Sequence, residues 1–183
     1  TTVSYSYDNS RLSEINVAKG TKTENYSFVY DSFGNVTSTK VGTTALITNT
    51  YKAHNGLLAS SEYANGDTVA YGYNNLGLVS VIAQNGYNKY KWSYNSSGTP
   101  MQHQDLVNNE KYLYTYDSIG RLIRYQIQSN DTASHIGAVE FAYDVRNNLS
   151  RIYLEFGGKS VAAQYKYSAV DANDNSAAFA KDN

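Results

Sequence analysis

Along most of this chain apolar and polar residues alternate singly. Val139, Phe141 and Tyr143 fall on one parity, with Glu140 and Ala142 on the other. Tyr112, Tyr114 and Tyr116 oppose Lys111, Leu113 and Thr115; Tyr90, Trp92 and Tyr94 oppose Lys89, Lys91 and Ser93; Val69, Tyr71 and Tyr73 oppose Ala70 and Gly72. Successive side chains on a strand point to opposite faces, so this pattern predicts a sheet with an aromatic face and a small or charged face. The aromatic face is expected to be the buried one.

The alternation is punctuated by one recurring phrase. Its clearest copy is Tyr114-Thr115-Tyr116-Asp117-Ser118-Ile119-Gly120-Arg121-Leu122-Ile123, and anchor tyrosines mark eight copies at Tyr7, Tyr30, Tyr51, Tyr73, Tyr94, Tyr116, Tyr143 and Tyr167. Steps between anchors are 23, 21, 22, 21, 22, 27 and 24 residues. Two strands of about 5–6 residues and two short turns fill such a step. Each copy therefore predicts one β-hairpin, and the chain an all-β antiparallel meander of about sixteen short strands, because sequential strands tend to pair. The repeat runs nearly from end to end, which implies a single domain over residues 1–183 with a polar tail from about residue 168.

Asp31, Asp117 and Asp144 can accept hydrogen bonds from N–H groups two residues on, while Gly34, Gly77, Gly98 and Gly120 permit a positive φ; Asn147 replaces the glycine in its copy. After this turn an apolar residue such as Val36, Leu122 or Leu149 opens the second strand. The next apolar set, for instance Ile152, Leu154 and Phe156, has the opposite parity to Leu149, which predicts a β-bulge at the start of that strand. The chain reverses again at Lys19-Gly20-Thr21, Asn65-Gly66-Asp67, Asn85-Gly86, Asn108-Asn109 and Gly157-Gly158. The Tyr-Asp turns thus share one rim and these turns the other. Longer excursions on the second rim are expected around Val41–Asn49 and Ser129–Ala138, and variable loops on a scaffold are where binding resides.

Composition narrows the functions. With 19 Tyr but one Pro, one Met and no Cys, tyrosine takes the place Leu and Phe hold in most cores, and disulfides, thiolate metal sites and cysteine nucleophiles are excluded. The net charge of −1 and the lack of a basic run argue against nucleic acid. The strands are too short, and apolar on too few faces, for a spanning barrel.

No catalytic constellation emerges. His54, His103 and His135 lie in different copies without metal-ligand spacing and read as surface or loop histidines. The aspartates read as turn caps, and no Gly-x-Ser-x-Gly elbow is present. The tail Asp171-Ala172-Asn173-Asp174-Asn175, with Asp182 eleven residues after Asp171, partly imitates a calcium loop but lacks its glycine and final glutamate; it reads as a frayed terminus. Trp92 shares its face with Tyr90 and Tyr94 and is assigned to packing. Tyr87 and Tyr153 fall on the opposite face and are the candidate exposed aromatics for a ligand. No catalytic, cofactor or metal site is assigned.

The phrase at Tyr114–Ile123 resembles the YD repeat, or RHS repeat, of large bacterial surface and toxin proteins. Tyr30-Asp31-Ser32-Phe33-Gly34-Asn35-Val36 and Phe141–Leu149 fit it well, and Tyr73–Val79 fits with Asn74 in place of Asp. The first copy is one residue short, the third has Lys52 for Asp, the fifth has Pro100 near the expected Leu, and the last loses the pattern after Ser168. The resemblance implies a curling sheet, either barrel-like or an open shell; small secreted bacterial proteins built from such repeats are the most similar in size. On this basis the chain is expected to be a non-enzymatic, monomeric binding module for a glycan, peptide or surface protein. It would be secreted, periplasmic or displayed on a bacterial surface, any signal or lipid anchor having been removed. The alternative is a structural fragment of a larger YD-repeat shell.

Overall fold

The computed structural model describes residues 1–167 and 178–181. It is all-β there, with strands β1 (Thr2–Asp8), β2 (Arg11–Lys19), β3 (Lys22–Tyr30), β4 (Val36–Val41), β5 (Thr44–Tyr51), β6 (Leu58–Tyr63), β7 (Thr68–Tyr73) and β8 (Val79–Gln84), followed by β9 (Tyr87–Tyr94), β10 (Pro100–Asp105), β11 (Glu110–Tyr116), β12 (Leu122–Ser129), β13 (His135–Tyr143), β14 (Leu149–Phe156), β15 (Lys159–Lys166) and β16 (Ala178–Lys181). Strand order in the sheet follows chain order, and β1 and β16 are not neighbours, so the sheet is not closed. Backbone contacts divide the chain into two compact units, Thr1–Lys89 and Tyr90–Asn183. Within each unit a strand approaches only its neighbours in sequence.

The bulge recurs in register. Tyr143 pairs with Leu149, but Ala142 pairs with Arg151, leaving Ser150 as the extra residue. The same skip follows Tyr7, Tyr30, Tyr51, Tyr73, Tyr94 and Tyr116. An extra residue at one position of every hairpin bends the second strand and adds local twist, so each repeat turns the sheet alike.

Burial departs from the expected one-sided core. Among the described residues the buried apolar ones are Ile127, Ala138 and Val139, and Ser38, Ser61 and Asp105 are buried polar ones. The aromatic face is half-buried: Trp92, Tyr112 and Tyr114 keep partial exposure, as do most anchor tyrosines. Since a strand touches only its sequence neighbours within its unit, side chains are covered mainly by cross-strand pairs, and neither face dries out.

The second rim also differs from expectation. Val41–Asn49 is no excursion, because β4 and β5 pair directly through Gly42 and Thr43, with Val41 opposite Thr44. The other longer connection, between Ser129 and His135, is present. The calcium-loop-like stretch Asp171–Asn175 lies outside the described residues. Within the expected polar tail, Ala178–Lys181 pairs with β15 as a sixteenth strand.

Candidate functional site

The Tyr-Asp rim is built from one device repeated. The Oδ1 of Asp31 accepts from the backbone N–H groups of Phe33 and Asn35, both at 2.9 Å, and Oδ2 accepts from the Asn35 side chain at 2.9 Å. Asp144 does the same with Arg146, Asn148 and the Asn148 side chain. Asn74 and Asn95 cap their turns with the amide oxygen in the same pattern. The Asn35 side chain first, then backbone N–H groups, holds the Asp31 carboxyl below its ordinary range, and the Asn148 side chain and backbone do so for Asp144. Gly34 at φ 93° and Asn147 at φ 67° close these turns in the left-handed region.

At five repeats the anchor tyrosine then ties the turn to the repeat before it. The hydroxyls of Tyr30, Tyr51, Tyr73 and Tyr143 each donate at 2.8 Å to the carbonyl of a post-turn residue one repeat back: Leu12, Val36, Leu58 and Leu122. Tyr167 donates to the Leu149 carbonyl at 3.0 Å. Those carbonyls lie where the bulge disturbs the ladder, so the phenol supplies a partner that strand pairing does not. A cation completes the link at three repeats. Arg11 lies over the Tyr30 ring, Lys52 over Tyr73 and Arg121 over Tyr143, at 5.7, 4.9 and 4.5 Å from the centroids. Arg121 also pairs with Asp117 and donates to the Asn147 side chain, each at 2.6 Å.

The third turn breaks the pattern. Lys52 stands where the cap belongs, Leu58 rather than residue 57 pairs with Tyr51, and the loop closes through Lys52 N–H to the Leu57 carbonyl and Gly56 N–H to the Lys52 carbonyl. A cleft of about 630 Å³ is lined by residues of the second and third turns, Phe33 and His54 among them, together with Thr37, Asn49 and Thr50. Phe33 is 84% exposed. Sequence reasoning did not single out Phe33; the signal was the Asp-to-Lys change at Lys52 and the added residue after it.

The sequence-predicted candidates fall elsewhere. Tyr87 is 74% exposed at the start of β9, in the first unit. Tyr153 is half-buried within β14, in the second unit, opposite Glu140 and Ala162. Neither lines the Phe33 cleft. Trp92 packs as expected, in an aromatic ladder on the second unit.

The histidine reading needs correcting at one position. His103 is a strand residue stacked between Trp92 and Tyr112, with centroids 4.9 and 5.4 Å apart and planes 7° and 18° from parallel. Its Nε2 is buried without a hydrogen-bond partner among the described residues, and burial, partly opposed by Asp105, lowers its pKa. Tyr125 extends the ladder to Tyr112, Tyr114 and Phe141. Tyr112 donates to Glu110 at 2.6 Å, and that bond to a carboxylate, with burial, pushes the phenol up to about 12. His135 and His54 do sit at the surface, and among the described residues no group of three or more His, Asp or Glu is placed to hold a metal ion.

Comparison with solved structures locates this architecture. The crystal structure titled TcdB2-TccC3-Cdc42 superposes with a TM-score of 0.74 at 18% identity, covering 91% of this chain and 10% of that one. TcdB2-TccC3 without its hypervariable C-terminal region gives 0.73 at 18% identity over 97% of this chain and 10% of that one. The Photorhabdus luminescens Tc holotoxin pore gives 0.63 at 12% identity, over 91% and 11%. These solved chains, one of them from a Tc holotoxin pore, share the β-repeat architecture described above. The fold is a YD-type β-repeat sheet. No family model and no curated protein matches the sequence, so the likeness is one of fold. The chain spans about a tenth of the length of the Tc toxin chains it matches.

Proposed function

We propose that this YD-type sheet is a structural wall: a segment of a larger shell of the kind found in secreted bacterial toxin complexes, with no catalytic role of its own. The observation that carries this reading is the tyrosine staple. Five anchor hydroxyls reach back one repeat to the carbonyl of a post-turn residue. A device that joins each repeat only to its predecessor suits a surface extended by repetition. The half-buried faces agree, since a wall needs continuity rather than a thick core. A wall segment of this kind belongs outside the cell or at its surface.

The test is to lengthen the array. A chain carrying a second copy of residues 122–143 should fold, and its unfolding should steepen with denaturant as the added surface is buried. An extended chain that fails to fold, or folds with no added cooperativity, would oppose the wall reading.

One observation favours a second reading, a binding module: the cleft between the second and third turns, with its exposed Phe33. An aromatic wall above hydroxyl and amide groups suits a glycan or a peptide side chain. A thermal-shift panel of soluble glycans and short peptides tests it. A shift that disappears in Phe33→Ala would move the weight to this reading, and a flat panel would remove it.

A further inference from the structure

The two faces of the second unit differ in charge as well as in aromatic content. Cross-strand pairing sets Lys91 opposite Gln104, Gln104 opposite Lys111 and Lys111 opposite Gln128. On the same face Arg124 pairs with Glu140, Glu140 with Tyr153, and Arg151 with Gln164. Contacts of Arg124 with Glu140 and of His135 with Glu155, each at 3.5 Å, fix the face on which these side chains meet. Lys166 falls two residues beyond Gln164 and shares it. Five cations (Lys91, Lys111, Arg124, Arg151 and Lys166) thus stand against two carboxylates, Glu140 and Glu155, a local balance of 5 − 2 = +3 in a chain whose net charge is −1.

A cleft of about 440 Å³ lies within this face, lined by Arg124, Arg151, Glu140 and Ala142. The Arg124 Nε lies beside it, ion-paired with Glu140 at 3.5 Å but making no hydrogen bond among the described residues, and the rest of the side chain is partly exposed. A guanidinium held only by so long a contact can take a further acceptor, and a carboxylate is the one its geometry fits best.

We propose that this face is a docking surface for an acidic polypeptide segment, with a carboxylate of the partner seated between Arg124 and Arg151. Gln102, Gln104, Gln126 and Gln128 flank the cations and can both donate to and accept from peptide groups. Nucleic acid fits less well. Single strands are held by a run of stacked aromatics, and the ladder of Trp92, Tyr112 and Tyr125 is on the opposite face, with Tyr153 standing apart from it on this one. The inference stands apart from the wall reading, since a wall can present this face or leave it bare.

Anisotropy of a fluorescein-labelled, glutamate-rich peptide titrated with the whole chain tests it. Saturable binding is expected at low salt, weakening by about tenfold or more as ionic strength rises to a few tenths molar. The double variant Arg124→Gln/Arg151→Gln should weaken binding at least about tenfold, and Lys91→Gln/Lys111→Gln about threefold. Lys159→Gln, on the opposite face, should leave it unchanged. Should the arginine variant fail to fold, the lysine variant carries the test. No saturable binding, or equal binding by folded variants, would overturn the proposal, and so would tighter binding of an oligothymidylate at the same site.

Discussion

The two units share one repeat and stabilise it differently. In Thr1–Lys89 the buried residues are Ser38 and Ser61, and the recurrent contacts are turn caps, tyrosine hydroxyls on carbonyls and cations on rings. In Tyr90–Asn183 the same links persist at Tyr143 and Arg121, but an aromatic ladder and all three buried apolar residues are added. The repeat device alone thus suffices to hold a hairpin array together, and side-chain packing is a supplement. The first unit isolates the device; the second shows what packing adds.

The largest effects should come from disturbing the packing of the second unit. A Cβ on Gly137 would lie 2.5 Å from both the Glu155 carbonyl oxygen and the Phe156 ring. Gly137→Ala should therefore cost about 2–3 kcal/mol by chemical denaturation, since the backbone of β14 must move. Protection from hydrogen exchange should fall in β13 and β14 while β2–β5 keep theirs. Cutting the ladder at Tyr125→Ala removes contacts with three rings and should cost about 3 kcal/mol. If it costs no more than the equivalent Tyr26→Ala in the first unit, the contrast between the units is wrong.

Much of this was legible in the sequence because it is local. Period-2 alternation gave the strands, Asp and Gly spacing gave the caps, and the parity change after Leu149 gave the bulge. What escaped depended on partners distant in sequence. Nothing in Leu12 or Leu58 announces that its carbonyl will meet a phenol 18 or 15 residues on. His103 read as a surface or loop residue because it lies in a different copy from His54 and His135 without metal-ligand spacing, yet register with Trp92 and Tyr112 makes it part of a stack. The Val41–Asn49 loop was overestimated because Gly42 and Thr43 alone make the turn. The cleft beside Phe33 required knowing that two turns share a rim and that one is longer.

Smaller effects sharpen the account. Removing a staple hydroxyl by Tyr51→Phe should cost about 1 kcal/mol, leaving the Val36 carbonyl without its donor. Acid should act through the caps. The Asp31 and Asp144 carboxyls titrate lower in the folded chain than in the unfolded one, so their stabilisation is present above the ordinary carboxylate pKa of about 4 and is lost as pH falls through the depressed folded value. The carboxylate contribution should hold level towards pH 5 and decline below about pH 4, and Asp144→Asn, which keeps the two backbone bonds as Asn74 does, should make that decline shallower. His103, also depressed, adds a loss that begins as pH falls below about 6.5 and should be absent in His103→Phe. Smallest should be Lys52→Ala, which removes one half-buried cation from a ring at a cost of about 0.5–1 kcal/mol.

The central claim is that anchor tyrosines fasten their repeats to the preceding ones, as Tyr30, Tyr51, Tyr73, Tyr143 and Tyr167 do. Native-state hydrogen exchange on Tyr51→Phe and Tyr73→Phe, compared with the parent chain, tests it most directly. The account predicts that protection falls around the altered junction, in β3–β5 for Tyr51→Phe and in β5–β8 for Tyr73→Phe, with the other repeats unchanged. Unaltered protection at both junctions, or an equal loss across all described strands, would contradict it.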